Sequence, residues 1–296
     1  MAGRSLKLKY DSEKEPSIGR SKAQLEETRK RLSAAHAAKV RPHLILRAYS
    51  QFIDNFLLHL WRTLVDDGAG RHQLSLVAVG GYGRQELHPG SDIDLLILLA
   101  RACSGEEVRR IEQFIRFLWD MGLQVGHSTR TLKECVHQAR GDITVVTNLM
   151  EARHLTGPAE LLSRLNTQIA PTRMWSPRKF FEAKRQEQVN RHLRYGDTAY
   201  NLEPHIKEGP GGLRDIQTIQ WVGHRYFGTP DLKKLSDEGF LTDAEVAELL
   251  KGRELLWRLR NGLHLLTGRP EDRLLFDYQR EIADQFGYRD GARSEE

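Results

Sequence analysis

Cysteine is scarce in this chain: Cys103 and Cys135 are the only two among 296 residues, and no short spacing joins them. A disulfide framework of the secreted kind is therefore excluded, and a reducing cytoplasm is the expected setting. No stretch approaches the roughly 18 consecutive apolar residues of a membrane span, so neither a spanning segment nor a membrane partner is expected. The opening MAGRSLKLKYDSEKEPS mixes charges and lacks an apolar centre, unlike a signal peptide. Runs of five or six basic residues are also missing, and a formal net charge of +5 is too small to imply a nucleic-acid partner. Histidine is scattered. None of the twelve lies within four residues of another, and no His-Asp dipeptide occurs. Zinc-type and phosphohydrolase-type sites built from local histidine pairs therefore lack support.

What is present suffices for a sizeable core: 39% of the residues are hydrophobic, and the length suggests two domains. Residues 1 to 20 are polar and read as a flexible tail. From Leu44 to Leu64 apolar residues recur at helical spacing and give one wide face. LSLVAVGG at 74–81 reads as a short buried strand ending in glycines. DIDLLILLA, after the turn GYGRQELHPGS, reads as a second strand buried on both faces. Ser104 with Glu107 forms a capping box that opens a helix. LQVGHSTR reads as a third strand, and Thr131 with Glu134 opens another helix. From 157 the pattern is helical, over 178–195, 213–227, 242–267 and 271–286, with a third capping box at Thr242 and Glu245. The expected organisation is a sheet domain with N-terminal helices over 21–156, then an all-helical domain over 157–296.

Chemistry concentrates in VGGYGRQELHPGSDIDLLIL, residues 79–98. Asp92 and Asp94 stand two apart at the head of a strand, so their carboxylates project from one face. Two carboxylates so close repel one another unless a cation sits between them, and magnesium, a hard cation that favours oxygen, suits the pair. Gly80, Gly81 and Gly83 leave backbone N–H groups bare for a close phosphate approach, with Ser91 beside the acids and Arg84 as a charged donor. A lone D-x-D is usually a surface feature, and a lone glycine turn usually a tight connection. A structural role explains neither clustered glycines nor two aspartates at the start of a buried strand. In the second half, Lys207 and Arg214 flank the turn Gly-Pro-Gly-Gly at 209–212. Turn geometry alone accounts for those glycines, and contact with substrate phosphates is the alternative.

GGYGR followed by ELHPGSDIDLL resembles the nucleotidyltransferase domain of the bacterial enzymes that uridylylate the nitrogen-signalling protein PII. GLQVGHSTRTLKEC, DITVVTNLMEARHLTG, YGDTAYNLEPHIKEGPGGLRDIQTIQW and EDRLLFDYQREIADQFGYRD resemble later blocks of the same family, so the likeness covers roughly residues 40–290. It implies an α+β fold like the DNA polymerase β palm, a mixed sheet with helices, followed by a helical domain. It implies that Gly80 and Gly81 hold the triphosphate of UTP and that Asp92 and Asp94 bind two magnesium ions, with manganese able to substitute. UMP would pass to a tyrosine of PII, and pyrophosphate would leave.

The wider group supplies a third carboxylate from a later strand. Here that strand reads VGHSTR, without an acid, and Glu151 is the substitute candidate, with a salt bridge to Arg153 or another base as its plain alternative. Full-length members continue into an HD domain that removes UMP and two ACT domains that sense glutamine. The residues here end at GYRDGARSEE, where the HD region would begin. Two other readings stay open: an adenylyltransferase acting on glutamine synthetase, and a non-catalytic module that binds nucleotide.

Overall fold

The computed structural model describes residues 6–12, 15–66, 73–196 and 201–288. Residues 289–296 and the DTAY part of the block YGDTAYNLEPHIKEGPGGLRDIQTIQW, residues 197–200, lie outside this set. Helices α1 (Ile18–Ala37) and α2 (Pro42–Leu64) come first. The sheet region follows: β1 (Leu74–Ala78), α3 (Gly80–Gly83), β2 (Ile93–Leu99), α4 (Gly105–Asp120), β3 (Val125–Thr131), α5 (Leu132–Gly141), α6 (Ile143–Met150) and β4 (Arg153–Thr156). After it come α7 (Ala159–Ile169), α8 (Pro177–Arg194), α9 (Leu213–Phe227), α10 (Leu232–Asp237), α11 (Asp243–Thr267) and α12 (Phe276–Phe286). This is an α+β architecture in which strand order is β3-β2-β1-β4. β1 runs antiparallel to both β2 and β4, whereas β2 and β3 are parallel. No helix among the described residues is long and apolar enough to cross a membrane.

Residue packing divides the chain into two compact units. One holds 1–32, 44–87 and 91–178, and the other holds 33–43, 88–90 and 179–296. In the first, α2 buries Ile45, Phe52, Ile53, Phe56, Leu60 and Trp61, because its apolar residues recur at three- and four-residue intervals. All five residues of β1 are buried, and so are all of β2 except Asp94. A half-exposed acid inside a strand otherwise sealed on both faces is the first structural sign of a site. All three capping boxes form, at Ser104–Glu107, Thr131–Glu134 and Thr242–Glu245. Each side-chain oxygen takes up an N–H that the first helical turn leaves orphaned.

The second unit is helical, with an isolated bridge between His205 and Arg273. The helix expected from 271 begins instead at Phe276. Pro270 withholds a donor, and residues 272–274 stay extended because Ile206 donates to the Asp272 carbonyl at 2.9 Å and Leu274 to the Pro204 carbonyl at 3.0 Å. The four-residue β4 was not anticipated. All of it is half-buried, so it shows no alternation of the kind that marks a strand.

Candidate active site

Asp94 is the second residue of β2, and its backbone is fixed on both sides. Its carbonyl accepts from Val79 at 3.0 Å, and it stands opposite Gly126 of β3. A Cβ on Gly126 would come within 2.5 Å of Asp94 Oδ1, and one on Gly80 within 3.3 Å of Oδ2. The carboxylate therefore sits between two glycines from neighbouring elements. Gly80 also adopts φ +58°, a conformation that L side chains rarely adopt. Asp92 lies just before the strand and is exposed. Between Asp92 and the preceding loop, the Ser91 hydroxyl is buried with no hydrogen-bond partner among the described residues. A buried hydroxyl left without a partner costs about 1–3 kcal/mol, so this oxygen is a candidate for an added ligand or water.

The glycine turn is a single turn of helix, α3, anchored from three directions. Tyr82 donates to Asp54 Oδ1 of α2 at 2.5 Å. Arg153 of β4 donates to both Asp54 oxygens at 2.8 and 2.9 Å, to the Tyr82 carbonyl at 3.3 Å and to the Gly83 carbonyl at 3.2 Å. Burial, and then the neighbouring Asp54, pushes the Tyr82 phenol well above its ordinary pKa, so it stays a donor. A Cβ on Gly83 would collide with the Glu151 carbonyl at 2.1 Å, so close chain packing alone demands this glycine. Gly81 differs: a Cβ there would meet Arg84 and Glu86 only at 3.7 Å, which is ordinary contact.

Arg84 and Glu151, assigned separately by the sequence, pair with each other. The Arg84 guanidinium also donates to Glu86 at 2.7 Å, and the Glu151 side chain is 6% exposed. Burial alone would lower the Arg84 pKa, but Glu151 and Glu86 outweigh it and hold the guanidinium above its ordinary value. Arg153, offered by the sequence as a partner for Glu151, goes to Asp54 instead. Lys207 and Arg214 belong to the second unit. Both pair with Glu208, at 3.6 and 3.1 Å, and Arg214 also packs over the Trp221 ring. Their own unit accounts for both. The ring of His127 meets that of Trp119 at 5.6 Å, which fits a structural role.

Beside Asp94 lies a cavity of about 230 Å³, with Gly126, Ser128, Arg130 and Asn148 among its lining residues. The sequence reading passed over these four. One signal was available: a glycine inside a strand marks close approach of another group, and Gly126, Ser128 and Arg130 share one face by the two-residue period.

A mixed sheet that presents acids at the head of its second strand matches the nucleotidyltransferase architecture expected above, and residues 26–130 match the nucleotidyltransferase family DUF294. Residues 179–296 match the family GlnD PII-uridylyltransferase. Proteins named bifunctional uridylyltransferase/uridylyl-removing enzyme are similar over most of the chain. The one from Nitrosococcus oceani is 56% identical over 218 residues, covering 74% of this chain and 24% of its own length. One from Pseudomonas putida is 50% identical over 261 residues, covering 88% and 28%. One from Methylococcus capsulatus is 51% identical over 245 residues, covering 83% and 28%. Residues 179–296 thus match the PII-uridylyltransferase family, and the chain is similar to these enzymes over most of its own length. It spans about a quarter of the length of the curated relatives it matches.

Proposed function

We propose that the chain transfers UMP from UTP to a tyrosine hydroxyl of the PII signalling protein, releasing pyrophosphate, with Asp92 and Asp94 as the metal-holding acids. The observation that carries this reading is the Asp94 carboxylate, half-exposed at the head of a buried strand and bounded by two glycines whose side chains would fill the space around it. The donor set fits a hard divalent cation, because carboxylate oxygens suit magnesium and manganese. Among the described residues no group of three or more His, Cys, Asp or Glu forms a cage, so water and substrate phosphates would complete the shell, as magnesium usually requires. When bound, the ions would stabilise phosphate charge and make the acceptor hydroxyl a better nucleophile.

The chain's own groups do the rest. Gly80 and Gly81 would let the phosphate chain approach their backbone N–H groups, and the unpartnered Ser91 hydroxyl would offer it a donor. The network of Asp54, Tyr82 and Arg153 keeps α3 rigid, so positioning is settled before substrate arrives. The relatives' names favour uridylyl over adenylyl transfer, and the family matched by residues 179–296 favours PII as the acceptor. The test is to incubate the protein with PII, magnesium and each of the four labelled nucleoside triphosphates. Label should reach PII from UTP, and Asp92→Asn or Asp94→Asn should each lower the rate by about two to three orders of magnitude. Transfer at an undiminished rate by the folded double Asn variant would overturn the assignment.

A further inference from the structure

Arg84 is the cation that the motif offers to a phosphate, yet Glu86 and Glu151 already hold it and its side chain is 18% exposed. A phosphate there would have to displace two carboxylates. Across the sheet, on β3, a second arginine stands in a different environment. Arg130 lines the cavity that Asp94 also lines, and its guanidinium makes no hydrogen bond or ion pair among the described residues. The nearest acid in sequence, Glu134, lies close enough for the Arg130 charge to help lower its pKa, but its hydrogen bonds go to Thr131, whose N–H and hydroxyl each donate to it at 2.7 Å.

We propose that Arg130 is the substrate contact that takes the phosphate chain of the nucleoside triphosphate, with the Ser128 hydroxyl and Asn148 amide completing the polar wall of the same cavity. This deepens the nucleotidyltransferase reading and rests on it. The geometry follows from strand register. Asp94 pairs with Gly126 and Leu98 with Arg130, so Arg130 lies four residues along from the acid, about 13 Å at Cα spacing. On that face of β3 Gly126 stands opposite Asp94 and Ser128 is the one intervening residue, both small, and Leu96 of β2 stands opposite Ser128 and also lines the cavity. A cation at one end and a carboxylate that can hold divalent metal at the other suit a polyphosphate bridging them, and not a neutral ligand. The planar guanidinium can take two oxygens of one phosphate. Val79 and Leu149 form an apolar part of the wall, which limits water and strengthens the charge interaction.

The experiment is calorimetric titration of wild type, Arg130→Ala, Arg130→Lys and Arg84→Ala with magnesium-inorganic triphosphate, magnesium-UTP and uridine. Arg130→Ala should weaken both phosphate ligands by roughly tenfold to a hundredfold, the range for a lost charged hydrogen bond, and leave uridine unchanged. Arg130→Lys should recover part of the loss. The thermal midpoint of Arg130→Ala should match wild type, because the side chain has no bond to lose. Arg84→Ala should lower the midpoint instead. Unchanged triphosphate binding in a folded Arg130→Ala variant overturns the proposal while leaving the wider reading intact. Failure of the wild type to bind magnesium-triphosphate overturns both. Weakened triphosphate binding in a protein that does not modify PII supports Arg130 and removes the uridylyltransferase reading.

Discussion

Two aspartates, each in its own unit, show how one residue type is put to opposite uses. Asp272 is held inside the chain: Arg260 donates to it at 2.6 Å and His264 Nε2 at 3.0 Å. Burial alone would raise its carboxyl pKa, but those two donors outweigh burial and hold it well below the usual carboxylate range. The network extends to the loop at 88–90, where Gly90 N–H donates to His264 Nδ1 at 3.1 Å and His88 bonds Asn261 at 2.8 Å. The Asp94 carboxylate lies against Gly126 and Gly80, in space that a Cβ on either glycine would crowd. The first arrangement binds the fold together, whereas in the proposed reading the second is the acid that meets a ligand. Packing density around the carboxylate, not its identity, separates the two roles.

Removing each acid should therefore do different things. Asp272→Ala leaves the Arg260 charge and the His264 N–H buried without their partner, and should lower unfolding free energy by about 3–5 kcal/mol in urea titration. A loss below about 1 kcal/mol would erase the contrast. Asp94→Asn should lower transfer by two to three orders of magnitude, about 3–4 kcal/mol in the barrier, with no fall in thermal midpoint. Stability and activity would then report separately on the two units.

Gly126→Ala sharpens the comparison, because it changes only the space around Asp94. Its Cβ would lie 2.5 Å from Oδ1, so the carboxylate must shift. Displacement of about 1 Å costs roughly a hundredfold in well-positioned sites, and steady-state kinetics should show it mainly in kcat. Activity equal to wild type would mean that the site tolerates a moved carboxylate.

The smallest effect concerns pH. Burial, as the largest cause, lowers the pKa of both His88 and His264 below the ordinary value of 6.5. The acceptor role of His264 Nδ1 towards Gly90 also requires the neutral ring. Both groups are depressed in the folded state, so the unfolded chain binds more protons in mild acid. Their contribution is complete above pH 6.5 and is lost as pH falls below it. Thermal midpoints should decline from pH 6.5 towards 5, and His88→Gln should flatten that slope. A midpoint flat across this interval would show that neither ring resists protonation.

Periodicity and capping chemistry act between residues three or four apart, so the sequence by itself determined most of the helices and all three capping boxes. It likewise placed β1 and β2, whose apolar runs are bounded by glycine or polar turns, and the mostly polar β3. The placement of Asp92 and Asp94 at the head of the second strand was legible too, because the two are neighbours in the chain. Tertiary structure alone decided the partners. Arg84 meets Glu151 across 67 residues, and Arg153 passes its near neighbour for Asp54 of α2, 99 residues away. Likewise, only the parallel register of β3 on β2 sets Gly126 against Asp94 and puts Arg130 in the same cavity. Ion pairs and clefts depend on which surfaces fold against each other, and a local pattern carries no record of that distance.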